Sequence, residues 1–208
     1  MKTASDEEIS ERIARLEHLE ELRTLRQLPI RGFLDKLPRL ESLFMEDGID
    51  FSSLHTLKSL KHLRCPISDA VAEYFPCPSV TTVEITRAWS VGRNVGCFFM
   101  LVPNIKAFRV AHGVPVKASL VSAVKGLKKL ETLQLFVKEK TLREGLVKRL
   151  APTMSHLTKL TLGANGGISL APCRKLTQLR ELNLLTGAAE NVQDFAPPSL
   201  VVFRAPTW

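Results

Sequence analysis

Apolar residues recur along this chain in a nine-residue frame, apolar-x-x-apolar-x-x-apolar-x-apolar, with polar or mixed residues between. Eight frames occur in order: Leu37-Leu40-Leu43-Met45, Leu57-Leu60-Leu63-Cys65, Cys77-Val80-Val83-Ile85, Val102-Ile105-Phe108-Val110, Leu127-Leu130-Leu133-Leu135, Met154-Leu157-Leu160-Leu162, Leu176-Leu179-Leu182-Leu184 and a weaker Pro197-Leu200-Phe203-Ala205. Their starts lie 20 to 27 residues apart. The last two apolar positions of each frame alternate with period two, which predicts a short strand, and the three-residue steps before them predict an inward turn. One such unit cannot bury its own apolar face. Stacked units share a continuous core, so residues 37–208 are expected to form one repeat domain of about eight units in the α/β class.

The connecting segments predict the opposite side of the array. Gly48–Leu54 and Gly167–Cys173 align with one another and predict short turns, whereas Leu142, Leu146 and Leu150 stand at helical spacing among charged residues and predict a helix. At the N-terminus, Ser5 and Glu8 form a capping box, and Ile9, Ile13, Leu16 and Leu19 follow on one helical face. A helix from residue 6 to about 21 is expected, within a helical cap spanning 1–36. A ninth frame, Leu22-Leu25-Leu28-Ile30, starts only 15 residues before Leu37. It is either a degenerate first strand or the end of that helix. The last frame runs out at Arg204-Ala205-Pro206-Thr207-Trp208 without a polar closing unit, so this end is expected either to be covered by a partner or to be blunted by Pro197, Pro198 and Pro206.

Leu157-Thr158-Lys159-Leu160-Thr161-Leu162-Gly163-Ala164-Asn165 resembles the leucine-rich-repeat consensus L-x-x-L-x-L-x-x-N at every specified position. The other frames carry Gly48, Ser68, Ala88, Gly113, Lys138, Gly187 and Trp208 where the family prefers Asn, so the family's asparagine ladder is mostly missing and uneven turns follow. The resemblance, to the irregular intracellular type, implies a curved solenoid with a parallel sheet on its concave side and short helices and turns on its convex side. It further implies a non-catalytic interaction module or scaffold that takes a protein partner on the concave face.

Composition narrows the picture. Hydrophobic residues at 45% and charged residues at 24% are those of a folded chain, which excludes bulk disorder. The longest fully apolar run, Cys97–Val102, is too short for a bilayer of about 30 Å, so membrane insertion is not expected. Twenty-nine Lys and Arg against 21 Asp and Glu leave a net charge of +8, which attracts acidic partners and polyanions alike. The alternative function class is therefore a structural subunit of a ribonucleoprotein or other large assembly, touching RNA through a basic flank of Lys125, Lys128, Lys129, Lys148 and Arg149. Cys65, Cys77, Cys97 and Cys173 lack the spacing of a metal site or a redox pair and read as free thiols in a reducing compartment. An intracellular setting is expected, with the cytoplasm favoured over the nucleus.

No nucleophile elbow, zincin, P-loop or dinucleotide fingerprint occurs, so neither an enzyme nor a cofactor or small-molecule substrate is expected. His62 and Cys65 stand close in sequence, yet strand alternation points them to opposite faces, so no metal site is expected there. Asn165-Gly166-Gly167 reads as a turn rather than a phosphate cradle. The candidate site is instead a surface, the strand positions that face away from the core. From these we select Phe44, Arg64, Glu84, Arg109, Gln134, Phe136, Lys159, Asn183, Leu185 and Arg204 as partner-binding residues, because arginine and aromatic residues among small polar ones make up binding hot spots. Arg64, Glu84 and Arg109 fall on neighbouring strands and are also placed to pair with one another.

Overall fold

Each frame becomes one strand. The computed structural model describes residues 6–25, 33–46, 51–67, 76–88, 95–114, 116–138, 140–164, 168–185 and 192–205. Its strands are β1 (Glu21–Thr24), β2 (Ser42–Met45), β3 (His62–Ile67), β4 (Thr82–Ala88), β5 (Ala107–Val110), β6 (Thr132–Val137), β7 (Lys159–Ala164), β8 (Glu181–Leu184) and β9 (Val202–Arg204). They form a single parallel sheet in strict chain order, β1 to β9. Parallel neighbours require a crossover. It is made of 3-10 turns at Leu34–Lys36, Phe51–Thr56, Ala151–Thr153 and Ala171–Lys175 and of the helices α2 (Val95–Leu101), α3 (Ala118–Val124), α4 (Lys140–Leu150) and α5 (Val192–Phe195).

The core lies between the sheet and these connectors. All four inward positions of the first seven frames are buried, from Leu37 through Leu184. In the eighth, Leu200, Phe203 and Ala205 are only partly buried, because no further strand pairs with β9 among the described residues. The expected short turns are the 3-10 segments that bury Leu54 and Cys173, and the expected helix is α4, which buries Leu146 and Leu150. Each frame enters its strand through the same turn, in which the amide of the second apolar residue donates to the carbonyl of the first at 2.9–3.3 Å. Polar side chains in these turns tie one repeat to the previous one. Ser59 Oγ donates to the Pro38 carbonyl at 2.7 Å, Asn104 Nδ2 to that of Pro78 at 2.8 Å and Ser199 Oγ to that of Leu179 at 2.8 Å. These bonds cross between the turns of successive repeats.

The N-terminus corrects two expectations. The helix α1 (Asp6–Ala14) stops well before residue 21, and the strand β1 that follows pairs in parallel with β2, Leu22 opposite Leu43 and Thr24 opposite Met45. The sheet thus begins at residue 21, ahead of the expected boundary at 36. The first frame is Leu16-Leu19-Leu22-Thr24, whose Leu19 amide donates to the Leu16 carbonyl at 2.9 Å like every later frame. Threonine in the fourth position hides it and shifts the apparent phase to Leu22-Leu25-Leu28-Ile30. Leu25, inward in that reading, is 73% exposed, and Leu28 and Ile30 lie outside the described residues. Leu16, expected on the buried helical face, is 50% exposed in the turn after α1, while Ile9, Ile13 and Ala14 pack against the core. Ser5, Gly48, Ser68, Asn165–Gly167, Gly187, Pro206 and Trp208, each assigned a local role above, also lie outside the described residues.

Candidate functional site

Strand alternation sends the residues between the buried positions to the open face of the sheet. The pairing registers align them. One row runs Arg23, Phe44, Arg64, Glu84, Arg109, Gln134, Thr161, Asn183 and Arg204, and beside it runs another of Glu21, Ser42, His62, Thr82, Ala107, Thr132, Lys159, Glu181 and Val202. Neighbours within a row are one strand spacing apart, about 4.8 Å.

The two halves of this face differ in how their charges are met. On β1–β4 the groups satisfy one another. Arg23 donates from Nε to Glu21 Oε1 at 2.6 Å and lays its guanidinium 4.6 Å from the centre of the Phe44 ring. Phe44, expected as an anchor for a partner, is thus already covered by a cation. Arg64 Nε lies 3.5 Å from Glu84 Oε1. Of the trio Arg64, Glu84 and Arg109, the first two pair, and Arg109 is left exposed with no ion pair or hydrogen bond to its side chain among the described residues.

On β5–β9 the face sinks into an open hollow of about 370 Å³, lined by Arg109, Thr132, Gln134, Lys159, Thr161, Asn183, Leu184, Leu185 and Arg204. Six of the ten candidate residues, Arg109, Gln134, Lys159, Asn183, Leu185 and Arg204, meet there. Its floor is low because Thr132, Thr161 and Asn183 are short, and its rim is raised by two arginines, a lysine and the exposed Leu185. One anion stands beside it, bonded to three of its lining residues. Glu181 Oε2 lies 2.9 Å from Lys159 Nζ, and Glu181 Oε1 accepts at 2.9 Å from both Arg204 Nη1 and Asn183 Nδ2. Asn183 Nδ2 also donates to Thr161 Oγ1 at 3.3 Å. The hydrogen bonds from Asn183 and Lys159, with the charges of Lys159 and Arg204, hold the Glu181 carboxyl below its ordinary value. Sequence reasoning placed Glu181 on this face but passed over it as a site residue. Lys159 stands directly opposite it in the register, but the bonds from Asn183, two residues on, and from Arg204, in the other row, are not given by that row.

Phe136 requires a correction. It follows the strand parity of the open face, yet it is 3% exposed, because its ring lies against Gly163 on β7 and 4.3 Å from the His112 ring. A Cβ at position 163 would collide with that ring. Glycine is required there to admit the phenyl group, which serves packing between β6 and β7 and is not presented to a partner.

The basic residues proposed for polyanion contact lie elsewhere. Lys125 is partly buried after α3, Lys128 and Lys129 occupy the turn entering β6, and Lys148 and Arg149 are exposed in the last turn of α4. Lys129 Nζ donates to Asn104 Oδ1 at 2.7 Å, so that lysine is spent within the array. Cys65, Cys77 and Cys173 are buried and Cys97 is exposed on α2. Burial pushes the Cys65 thiol up to about 12 and raises that of Cys77 as well. His62 is exposed while Cys65 is buried beneath the strand, and among the described residues no cluster of three metal-ligating side chains occurs. Among them too, no helix is long and apolar enough to cross a membrane.

No family model matches this chain, and no curated protein matches it. Among solved structures, it is similar to an internalin (inlF) from Listeria monocytogenes str. 4b F2365 at 15% sequence identity and a TM-score of 0.48, over 98% of this chain and 69% of that one. It is also similar to an internalin C2 (inlC2) from the same strain at 18% identity and a TM-score of 0.44, over 93% of this chain and 76% of that one. The repeated frame, one parallel strand per frame in chain order, and the buried frame positions give this chain the fold of a leucine-rich-repeat solenoid.

Proposed function

We propose that this protein is a non-catalytic interaction module whose protein partner docks on the open face of the sheet, over the hollow on β5–β9. The observation that carries the reading is that six of the ten candidate face residues line one depression of about 370 Å³. That volume falls in the range of about 300–1,000 Å³ of ligand sites, but the hollow is open along the sheet and suits side chains of a docked chain better than an enclosed small molecule. The array supplies a rigid platform, since every strand is held by its neighbours. We read α1 as the cap of the β1 end and the buried thiols as suited to an intracellular, reducing setting.

Contact with RNA through the basic flank is the weaker reading, because Lys129 is engaged by Asn104 and the arginines of the hollow lie on the other side of the array. The test is affinity purification from native extract with and without nuclease, comparing the natural chain with a variant carrying Arg109→Glu and Gln134→Glu. A set of proteins retained by the first and lost by the second is expected. An identical set on both refutes the open face as the docking surface, and loss of the whole set on nuclease treatment transfers the function to the basic flank.

A further inference from the structure

Resting on that reading of the face, we propose that the hollow on β5–β9 selects an acidic segment of the partner, with a carboxylate of that segment taken by Arg109. The charges of the hollow do not balance. Arg109, Lys159 and Arg204 stand around it against the single carboxylate of Glu181, which Lys159 and Arg204 already share. Two positive charges remain in excess, and one of them, on Arg109, has no partner among the described residues. The other half of the face offers no such excess, because Arg23 pairs with Glu21 and Arg64 with Glu84.

The chemistry of Arg109 favours a carboxylate. A guanidinium meets a carboxylate with two parallel hydrogen bonds, and the adjacent Gln134 amide provides a further donor. Glu181, in the row beside Arg109's and paired with two of the hollow's cations, works against a string of phosphates, which would bring several negative charges close to its carboxylate. Long basic side chains interleaved with aromatic stacking platforms, the usual means of holding single-stranded nucleic acid, are not found here: the residues between the cations are Thr132, Gln134, Thr161 and Asn183. Size fits a short run of chain. From β5 to β9 the face spans four strand spacings, about 19 Å, which about six residues of extended chain cover.

The experiment uses the full chain against a randomised peptide library, with counter-selection on the Arg109→Glu, Gln134→Glu variant, and hexaglutamate as a defined probe followed by fluorescence anisotropy. Face-dependent binders enriched in Asp and Glu are expected. Hexaglutamate affinity is expected to fall about tenfold or more in Arg109→Gln and to be unchanged in Lys175→Gln, which removes an exposed charge outside the hollow. Each variant is first shown to melt with the natural chain. Face-dependent binders that are neutral or apolar overturn the acidic specificity and leave the docking face standing. Absence of any face-dependent binder overturns both. Hexaglutamate held equally by Arg109→Gln, or outcompeted by a phosphoserine peptide or by oligouridylate of the same length, also overturns the proposal.

Discussion

Adding one methyl group at position 163 tests whether Phe136 is a packing residue or a binding residue. Gly163 lies on β7 directly opposite Phe136 of β6, and its new Cβ in Gly163→Ala would overlap the phenyl ring. Two effects oppose each other. Alanine restricts the unfolded chain and suits a strand better, a gain of about 0.5–1 kcal/mol. Against this, the ring is 3% exposed and backed by His112, so it has little room to move, and overpacking costs about 1–3 kcal/mol. The collision outweighs the gain, and net destabilisation of about 1–2 kcal/mol is expected. In a chain of this size that corresponds to a fall in Tm of roughly 2–8 °C.

The cycle is closed with Phe136→Ala. Alone it removes a buried ring and costs about 3–5 kcal/mol. In the Gly163→Ala background the added methyl occupies part of the space vacated, so the second substitution costs less there, with a coupling of about 1–2 kcal/mol. Urea unfolding of the four proteins measures it. Gly163→Ala without effect, together with additive behaviour in the double variant, refutes the placement of Phe136 and returns it to the open face as a binding residue.

Gly113 holds φ at +91°, so Gly113→Ala is expected to cost about 1 kcal/mol although its methyl meets open space, whereas Gly96→Ala in α2, equally unobstructed, is expected to be neutral or stabilising. Equal melting of the two variants contradicts this. Because the folded-state pKa of Glu181 is depressed from its ordinary 4.5, its contribution is present above pH 4.5 and is lost as pH falls through the lower folded value. Glu181→Gln therefore flattens the acid side of the stability profile and leaves its slope near neutrality unchanged, which melting across pH measures. With Cys65, Cys77 and Cys173 buried, a thiol reagent at pH 8 is expected to titrate Cys97 alone in the native chain and all four thiols after denaturation; two or more fast native thiols refute the burial of the frame cysteines.

The core was legible in the sequence because its determinants are local. A strand of alternating parity and an inward turn are each specified within nine residues, and stacking only repeats them, so Leu37 to Leu184 could be assigned inward without knowing which repeat touches which. The exception illustrates the rule: Thr24, a polar residue at a fourth frame position, breaks the apolar phase, and only the β1–β2 register restores it. The open face was legible as rows but not as a site. Row membership follows from parity, whereas availability depends on which neighbour each long side chain chooses. Glu84 stands between Arg64 and Arg109 by register and turns to Arg64, and Phe136 has the parity of the open face yet is covered because position 163 lacks a side chain.

Where adjacent strands carry long side chains of opposite charge, as Arg64 and Glu84 do on β3–β4 and Lys159 and Glu181 on β7–β8, they reach one another across a single strand spacing. Where strands carry Thr132, Gln134, Thr161 and Asn183, the side chains are too short to fill the space or to neutralise the cations beside them, so a depression and an excess of positive charge arise together. Glu181 offsets part of that excess and fixes Lys159 and Arg204 at the rim, which leaves Arg109 as the rim cation without a partner among the described residues. The same reasoning predicts that Glu84→Gln, by releasing Arg64 two strands from Arg109, extends the cationic surface toward β3 and tightens hexaglutamate binding. Weaker binding in that variant refutes the electrostatic partition, because a partner attracted by uncompensated charge gains when a competing carboxylate is removed.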